Sequence, residues 1–239
     1  MKKNFKLSAM IPIYAIILAS LLLLAIGGSH AVTVMVENAP VKNRKCVIID
    51  AGHGGIDGGT TSCTGVLESH INLEIALRLN DLMHLLGIDT ILTRDSDRSI
   101  HTQGETIAQK KISDLKERIA IINSAQNAIL ISIHQNYFTE SKYYGPQVFY
   151  PNTPGSSELA TTMQSALVRS LCPESNRVKM PASGVYLMQH INCVGLLIEC
   201  GFLSNPAEET KLLSGDYQKN ICCVIASVCS NYLYKDMIA

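Results

Sequence analysis

The chain has 239 residues, with 20 lysine plus arginine against 20 aspartate plus glutamate, and 47% of its residues are hydrophobic. A length of this order supports one sizeable core, or a core with an anchor. The balanced charge creates no field that would recruit DNA or RNA, so no nucleic-acid partner is expected.

The N-terminus reads MKKNFKLSAMIPIYAIILASLLLLAIGGSHA. Lys2, Lys3 and Lys6 precede a nearly unbroken apolar run over residues 7–26, long enough to cross a bilayer as a helix. The basic flank orients this end toward the cytoplasm. Two readings of residues 1–31 stand side by side. Ser29-His30-Ala31 has the small-x-small form of a signal-peptide cleavage site, whereas the run exceeds the usual signal core and could stay as a membrane anchor. Both readings export the rest of the chain. Residues 32–44 read as a linker and residues 45–239 as one catalytic domain.

From Lys45 onward, strand-like and helix-like segments alternate. KCVIID is a short β-branched run that ends at a glycine turn. HINLEIALRLNDLMHLLG carries apolar residues at 71, 75, 79, 82 and 86, a helical face closed by Gly87. IDTILTR reads as the next strand. SDLKERIAIINSAQ reads as a helix capped by Ser113. AILISIHQN and GPQVFY are strands, SSELATTMQSALVRSLC a helix, and GVYLM and VGLLIECGF strands again. A last helical region covers residues 208–234 with a break near Gly215. Strands separated by helices predict an α/β fold, a single domain whose mostly parallel sheet is flanked by helices. An N-terminal hydrophobic helix is expected to precede it.

The eight cysteines do not form a disulfide scaffold pattern, and no C-x-x-C pair suggests zinc or redox chemistry. Cys222, Cys223 and Cys229 lie in an apolar stretch and read as buried small hydrophobes. One bridged pair stays open in an oxidising location.

The stretch CVIIDAGHGGIDGG, residues 46–59, raises three options: a phosphate cradle, a metal site or a tight turn. A P-loop needs Lys-Ser/Thr after its glycines, and none is present. The dinucleotide fingerprint fails because Asp57 occupies the third glycine position. Glycines here permit sharp turns around a presented side chain, His53, just beyond a strand end. Ligands collect at such ends in open α/β sheets. Two other strand ends carry His134 and Glu199, and Glu68 stands near the start of a helix. Two imidazoles and a carboxylate form a common catalytic zinc set, with a further carboxylate to manage protons. Bland readings compete: His53 as a turn cap, Glu68 as a first-turn acid facing a helix dipole, His134 as a core histidine. Glu199 resists such a reading, because a buried carboxylate without a partner is costly. His30, His84, His101 and His190 fall in the linker, a helix, a polar loop and a turn.

These segments resemble the zinc-dependent N-acetylmuramoyl-L-alanine amidases of bacterial cell walls, amidase type 3. The resemblance rests on DAGHGGIDGG, GVLESHINLEIA, ISIHQN and LIECGFLSNPAEE in family order, with TILTRDSD and LKERIAIIN between, over residues 45–234. It implies His53, Glu68 and His134 as ligands of one Zn2+ ion and Glu199 as the catalytic carboxylate. It implies a peptidoglycan glycan–peptide substrate, cut between muramic acid and L-alanine. The match is closest to sporulation amidases that prepare muramic-δ-lactam in the spore cortex, which implies the space between the forespore membranes. The alternatives are a zinc peptidase of related fold and an inactive wall-binding module. Where the family often has a lysine after the metal glutamate, this chain has Ser69 and His70, and His70 could compete as a ligand. The short polar segment at 98–111 offers no plug for the site, which implies control by location or an accessory protein. Asp50 or Asp57 could support the site by hydrogen bonds, or could serve only its turn.

Overall fold

A computed structural model describes residues 45–238. The expected N-terminal helix and the linker lie outside the described residues. Among the described residues no helix is long and apolar enough to cross a membrane.

The first strand, β1 (Cys46–Ala51), is buried almost throughout, as expected for a strand covered on both faces. The chain then crosses through α1 (Glu68–Leu85), β2 (Thr90–Leu92), α2 (Ile107–Ser124) and β3 (Ala128–Asn136). It continues through β4 (Gln147–Tyr150), α3 (Ser156–Leu171), β5 (Met180–Pro181), α4 (Tyr186–His190) and β6 (Val194–Phe202), and ends with α5 (Pro206–Leu212) and α6 (Gly215–Ile238). The strands form one six-stranded sheet in the order β2-β1-β3-β6-β4-β5. β2, β1, β3 and β6 run parallel, while β4 is antiparallel to β6. The α/β architecture with a mostly parallel sheet flanked by helices matches the expectation.

The two sheet faces divide by the two-residue alternation of the central strands. Ile129, Ile131 and Ile133 pack with α1, α3 and α6, whereas Leu130 and Ile48 pack with α2 and α4. From β1 the chain goes first to β2 on one side and then to β3 on the other. That reversal opens a crevice beyond the carboxyl ends of β1 and β3, where ligands bind in sheets of this kind.

Three expectations need correction. GVYLM is not a strand; its second half begins α4. Leu187 and Met188 are both buried, while Tyr186 is 39% exposed. A strand turns adjacent side chains to opposite faces, so a helical turn is the way to bury this consecutive pair against one layer. Ser113 is not the helix cap. The helix starts earlier, where the Thr106 side chain accepts from the Gln109 N–H and Gln109 returns the bond to the Thr106 backbone. Ser113 lies inside α2, and its hydroxyl accepts from the N–H groups of Thr102 and Gln103. Cys223 is exposed, unlike Cys222 and Cys229, and none of the eight cysteines is bridged. The break near Gly215 falls between α5 and α6 as expected.

Ile131, fully buried at the middle of the central strand, should be among the most costly positions to truncate. Ile131→Ala is expected to remove about 2–5 kcal/mol of stability, read from the urea unfolding midpoint at unchanged m-value. A loss below about 1 kcal/mol would contradict the packing described.

Candidate metal centre

The loop after β1 turns sharply, and His53 itself takes the left-handed conformation at φ 62°. Side-chain-bearing residues rarely adopt it, so the surrounding bonds must hold it there. Arg94 donates to the carbonyls of Ala51 and Gly52 at 2.9 and 3.0 Å, and Asn72 donates to the Gly52 carbonyl at 3.2 Å. Gly52 packs so closely under His134 that any side chain there would enter the imidazole.

Glu68 opens α1 and is buried at 2% exposure. His134 stands near the end of β3, and its neighbour in register on β6 is Glu199. The fold brings His53, Glu68 and His134 together, each offering one ligand atom within 4.8 Å of the others. Glu68 Oε1 lies 3.1 Å from His134 Nδ1 and 3.4 Å from His53 Nε2. The two imidazoles meet edge to face, with centroids 5.0 Å apart. The other oxygen of Glu68 accepts from the Thr60 N–H and hydroxyl at 3.0 and 3.1 Å. Oε1 also accepts from the Gln135 N–H and from Asn72.

Burial opposes charge on Glu68, but the adjoining His134 and His53 hold its carboxyl far below the usual range. Burial likewise opposes charge on His53, yet Asp57 and Glu68 lift its pKa to about 9. Asp57 Oδ2 lies 2.9 Å from His53 Nδ1, so Asp57 is the aspartate that orients the ring. Lys111 of α2 pairs with the other Asp57 oxygen at 2.7 Å, which returns a positive charge to the site from another element. Asp50, within β1, accepts from Thr93 and Ser132 at 2.7 Å each and from Arg118 at 2.6 Å.

Glu199 is different. Desolvation raises its pKa to about 7; the nearby His134 opposes that rise, and Glu68 adds to it. Its Oε2 is buried and without a hydrogen-bond partner among the described residues. A buried oxygen left unpaired in this way is costly and points to a ligand, ion or water in use there. His70 does not join the cluster; it is exposed and meets Asp97 at 3.2 Å. His84, His101 and His190 bond to Thr90, Ser99 and the Tyr186 carbonyl, away from the cluster. A cavity of about 220 Å³ beside the cluster is walled by His53, His134, Lys111, Leu115, Tyr186 and Leu197.

Several supporting residues escaped the reading of the sequence. Arg118 donates to Asp50, Ala51 and His53 from α2. Glu209 of α5 accepts from the N–H and hydroxyl of Thr64, fixing the loop that carries Thr60. One signal was available: Arg118 falls between Leu115 and Ile122 on the apolar stripe of its helix, where an arginine must have buried partners.

A family model for N-acetylmuramoyl-L-alanine amidase matches residues 47–229. The germination-specific N-acetylmuramoyl-L-alanine amidase of Bacillus subtilis is 37% identical over 183 residues, 76% of this chain and 76% of that protein. Among solved structures, the CwlD amidase from Clostridioides difficile in complex with the GerS lipoprotein superposes with a TM-score of 0.76. It shares 39% identity over 80% of this chain and 98% of that one. An N-acetylmuramoyl-L-alanine amidase from Clostridium difficile 630 gives a TM-score of 0.69 at 32% identity, covering 80% of this chain and 97% of that one.

Two outcomes follow from the geometry. The folded-state pKa of His53 lies above the ordinary 6.5, so the stability it adds is complete below pH 6.5 and is lost as pH rises through about 9. The melting temperature of the chelator-treated, metal-free protein should therefore fall across that window, and Asp57→Asn should flatten the fall. A slope that Asp57→Asn leaves unchanged would remove Asp57 as the cause. Gly52→Ala should displace His134 and abolish metal uptake by equilibrium dialysis, while far-UV circular dichroism stays native.

Proposed function

This chain belongs to the N-acetylmuramoyl-L-alanine amidase family, and on that premise we propose how its residues carry out the reaction. It is an amidase that cleaves the bond between N-acetylmuramic acid and L-alanine in peptidoglycan, of the kind linked to sporulation and germination. The cluster of His53, Glu68 and His134 is the observation that carries the mechanism.

We assign the metal as one zinc ion, held by those three residues. Two imidazole nitrogens and a carboxylate oxygen are a donor set that suits zinc and leaves a coordination position open. The unpartnered Glu199 oxygen beside the cluster fits the same assignment. Zinc supplies Lewis acidity, which polarises an amide carbonyl and acidifies water. The protein does the rest. Glu199 takes the proton of the attacking water and delivers one to the departing L-alanine amine. Burial raises its affinity for a proton, which suits a group that must hold one between the two steps. Asp57 keeps the His53 ring turned toward Glu68. The apolar wall of Leu115 and Leu197 limits water on one side of the reacting groups.

The chain works outside the cytoplasm. We place it between the forespore membranes, held by residues 7–26 or released after Ala31, and we assign its control to an accessory protein. The relative solved in complex with a lipoprotein supports that last point.

Muropeptides digested with the full chain should yield intact peptides beginning with L-alanine and peptide-free muramic acid by mass spectrometry. Cleavage between amino acids would indicate a zinc peptidase instead. Glu199→Gln should lower turnover about 10²–10⁴-fold while zinc content stays at one per chain. Loss of zinc in this variant would make Glu199 a ligand rather than the proton carrier.

A further inference from the structure

We propose that Arg118 is a positioning residue for the metal centre, which aims the His53 imidazole by gripping the backbone of the turn that presents it. This rests on the zinc reading above and adds a residue to it.

The guanidinium spans the turn. Its Nη1 donates to the Ala51 carbonyl at 2.7 Å and its Nη2 to the His53 carbonyl at 2.6 Å. One rigid planar fork therefore fixes the backbone on both sides of Gly52. His53 is in the left-handed conformation, and its carbonyl and imidazole hang from the same Cα. Holding the carbonyls of Ala51 and His53 fixes the position of the His53 Cα and the direction of its Cα–Cβ bond, and the bond from Nδ1 to Asp57 then sets the ring's rotation. Asp57 orients the ring but does not hold the backbone that carries it, and its own tie to α2 runs through the long, half-exposed Lys111 side chain. Arg118 reaches in from α2, a separate and rigid element.

Arg118 is itself fixed. Its Nε donates to Asp114 one turn earlier at 2.6 Å, and Nη1 donates to Asp50 at 2.6 Å. Asp50 in turn is held by Thr93, just after β2, and by Ser132 of β3. The arginine is 2% exposed, so water does not compete for these carbonyls. The chain of bonds from Ser132 through Asp50 and Arg118 to His53 starts two residues before His134. The two histidines are thus referred to the same strand.

The test uses the full chain, stripped of metal and titrated with Zn2+ against a chromophoric chelator and with Co2+ by visible absorption. Arg118→Lys keeps the charge and loses the fork. It should bind Zn2+ about 10–100-fold more weakly and show a changed Co2+ spectrum. Ile122→Val, one turn further along the same helix, should lower the melting temperature without altering either readout. Arg118→Lys matching wild type in affinity and spectrum overturns the proposal. So does an Ile122→Val protein that loses affinity in step with its stability, since the effect would then be general. If Arg118→Lys does not fold, Ser132→Ala loosens Asp50 more gently; several-fold weaker Zn2+ binding supports the proposal, and unchanged affinity overturns it. Wild-type protein that takes up neither ion overturns the metal centre and this inference with it.

Discussion

A carboxylate buried at the head of a helix must be surrounded by donors, and the site is built on meeting that demand for Glu68. Its two oxygens gather the Thr60 N–H and hydroxyl, the Gln135 N–H, the Asn72 amide and two imidazoles. Those donors come from the β1–α1 loop, from α1 and from β3. Each segment must be in place before the charge is stabilised, so the electrostatics of one side chain bind three elements into a single arrangement. The second carboxylate is treated in the opposite way. Glu199 is partly buried with one buried oxygen unpaired, and its proton affinity rises instead of falling. Two carboxylates within one site are thereby shifted in opposite directions by their surroundings.

The glycine-rich loop gains its meaning from this arrangement. It is no anion cradle, since its N–H groups are already used: Gly52 donates to the Ile133 carbonyl, Gly54 to the Asp57 carbonyl, Gly55 to the Asp97 carboxylate and Gly59 to the Asp57 carboxylate. The glycines serve close approach: Gly52 lies beneath the His134 ring, and Gly59, at φ 69°, packs against Glu68 and His53.

Much of this was legible in the sequence, and the reasons for the remainder are physical. β1, β3 and β6 were plain because strands covered on both faces need continuous apolar runs. His53, His134 and Glu199 could be placed at strand ends, but their convergence depends on strand order, which no local pattern carries. The family motifs supplied that convergence by resemblance. GVYLM was misread because short apolar runs suit strand and helix alike, and only the layer covering it decides. The start of α2 was missed because a capping box made with glutamine in a polar stretch gave little contrast with a loop. Asp50 and Asp57 looked equivalent on paper. Their difference lies in which neighbour each meets, Ser132 for one and His53 for the other.

The pairing of His134 with Glu199 across β3 and β6 has a consequence for how such a chain can vary. Adjacent strands are held about 4.8 Å apart by their backbone ladder. The separation between the His134 and Glu199 positions is therefore set by the peptide backbone, whatever the side chains around it. Insertions and replacements in the connecting loops leave that interval untouched. The crevice rim can be reshaped while the spacing of these two positions is kept. The sheet acts as a fixed gauge and the loops as exchangeable jaws, so divergence in specificity and retention of chemistry proceed in separate parts of the same molecule.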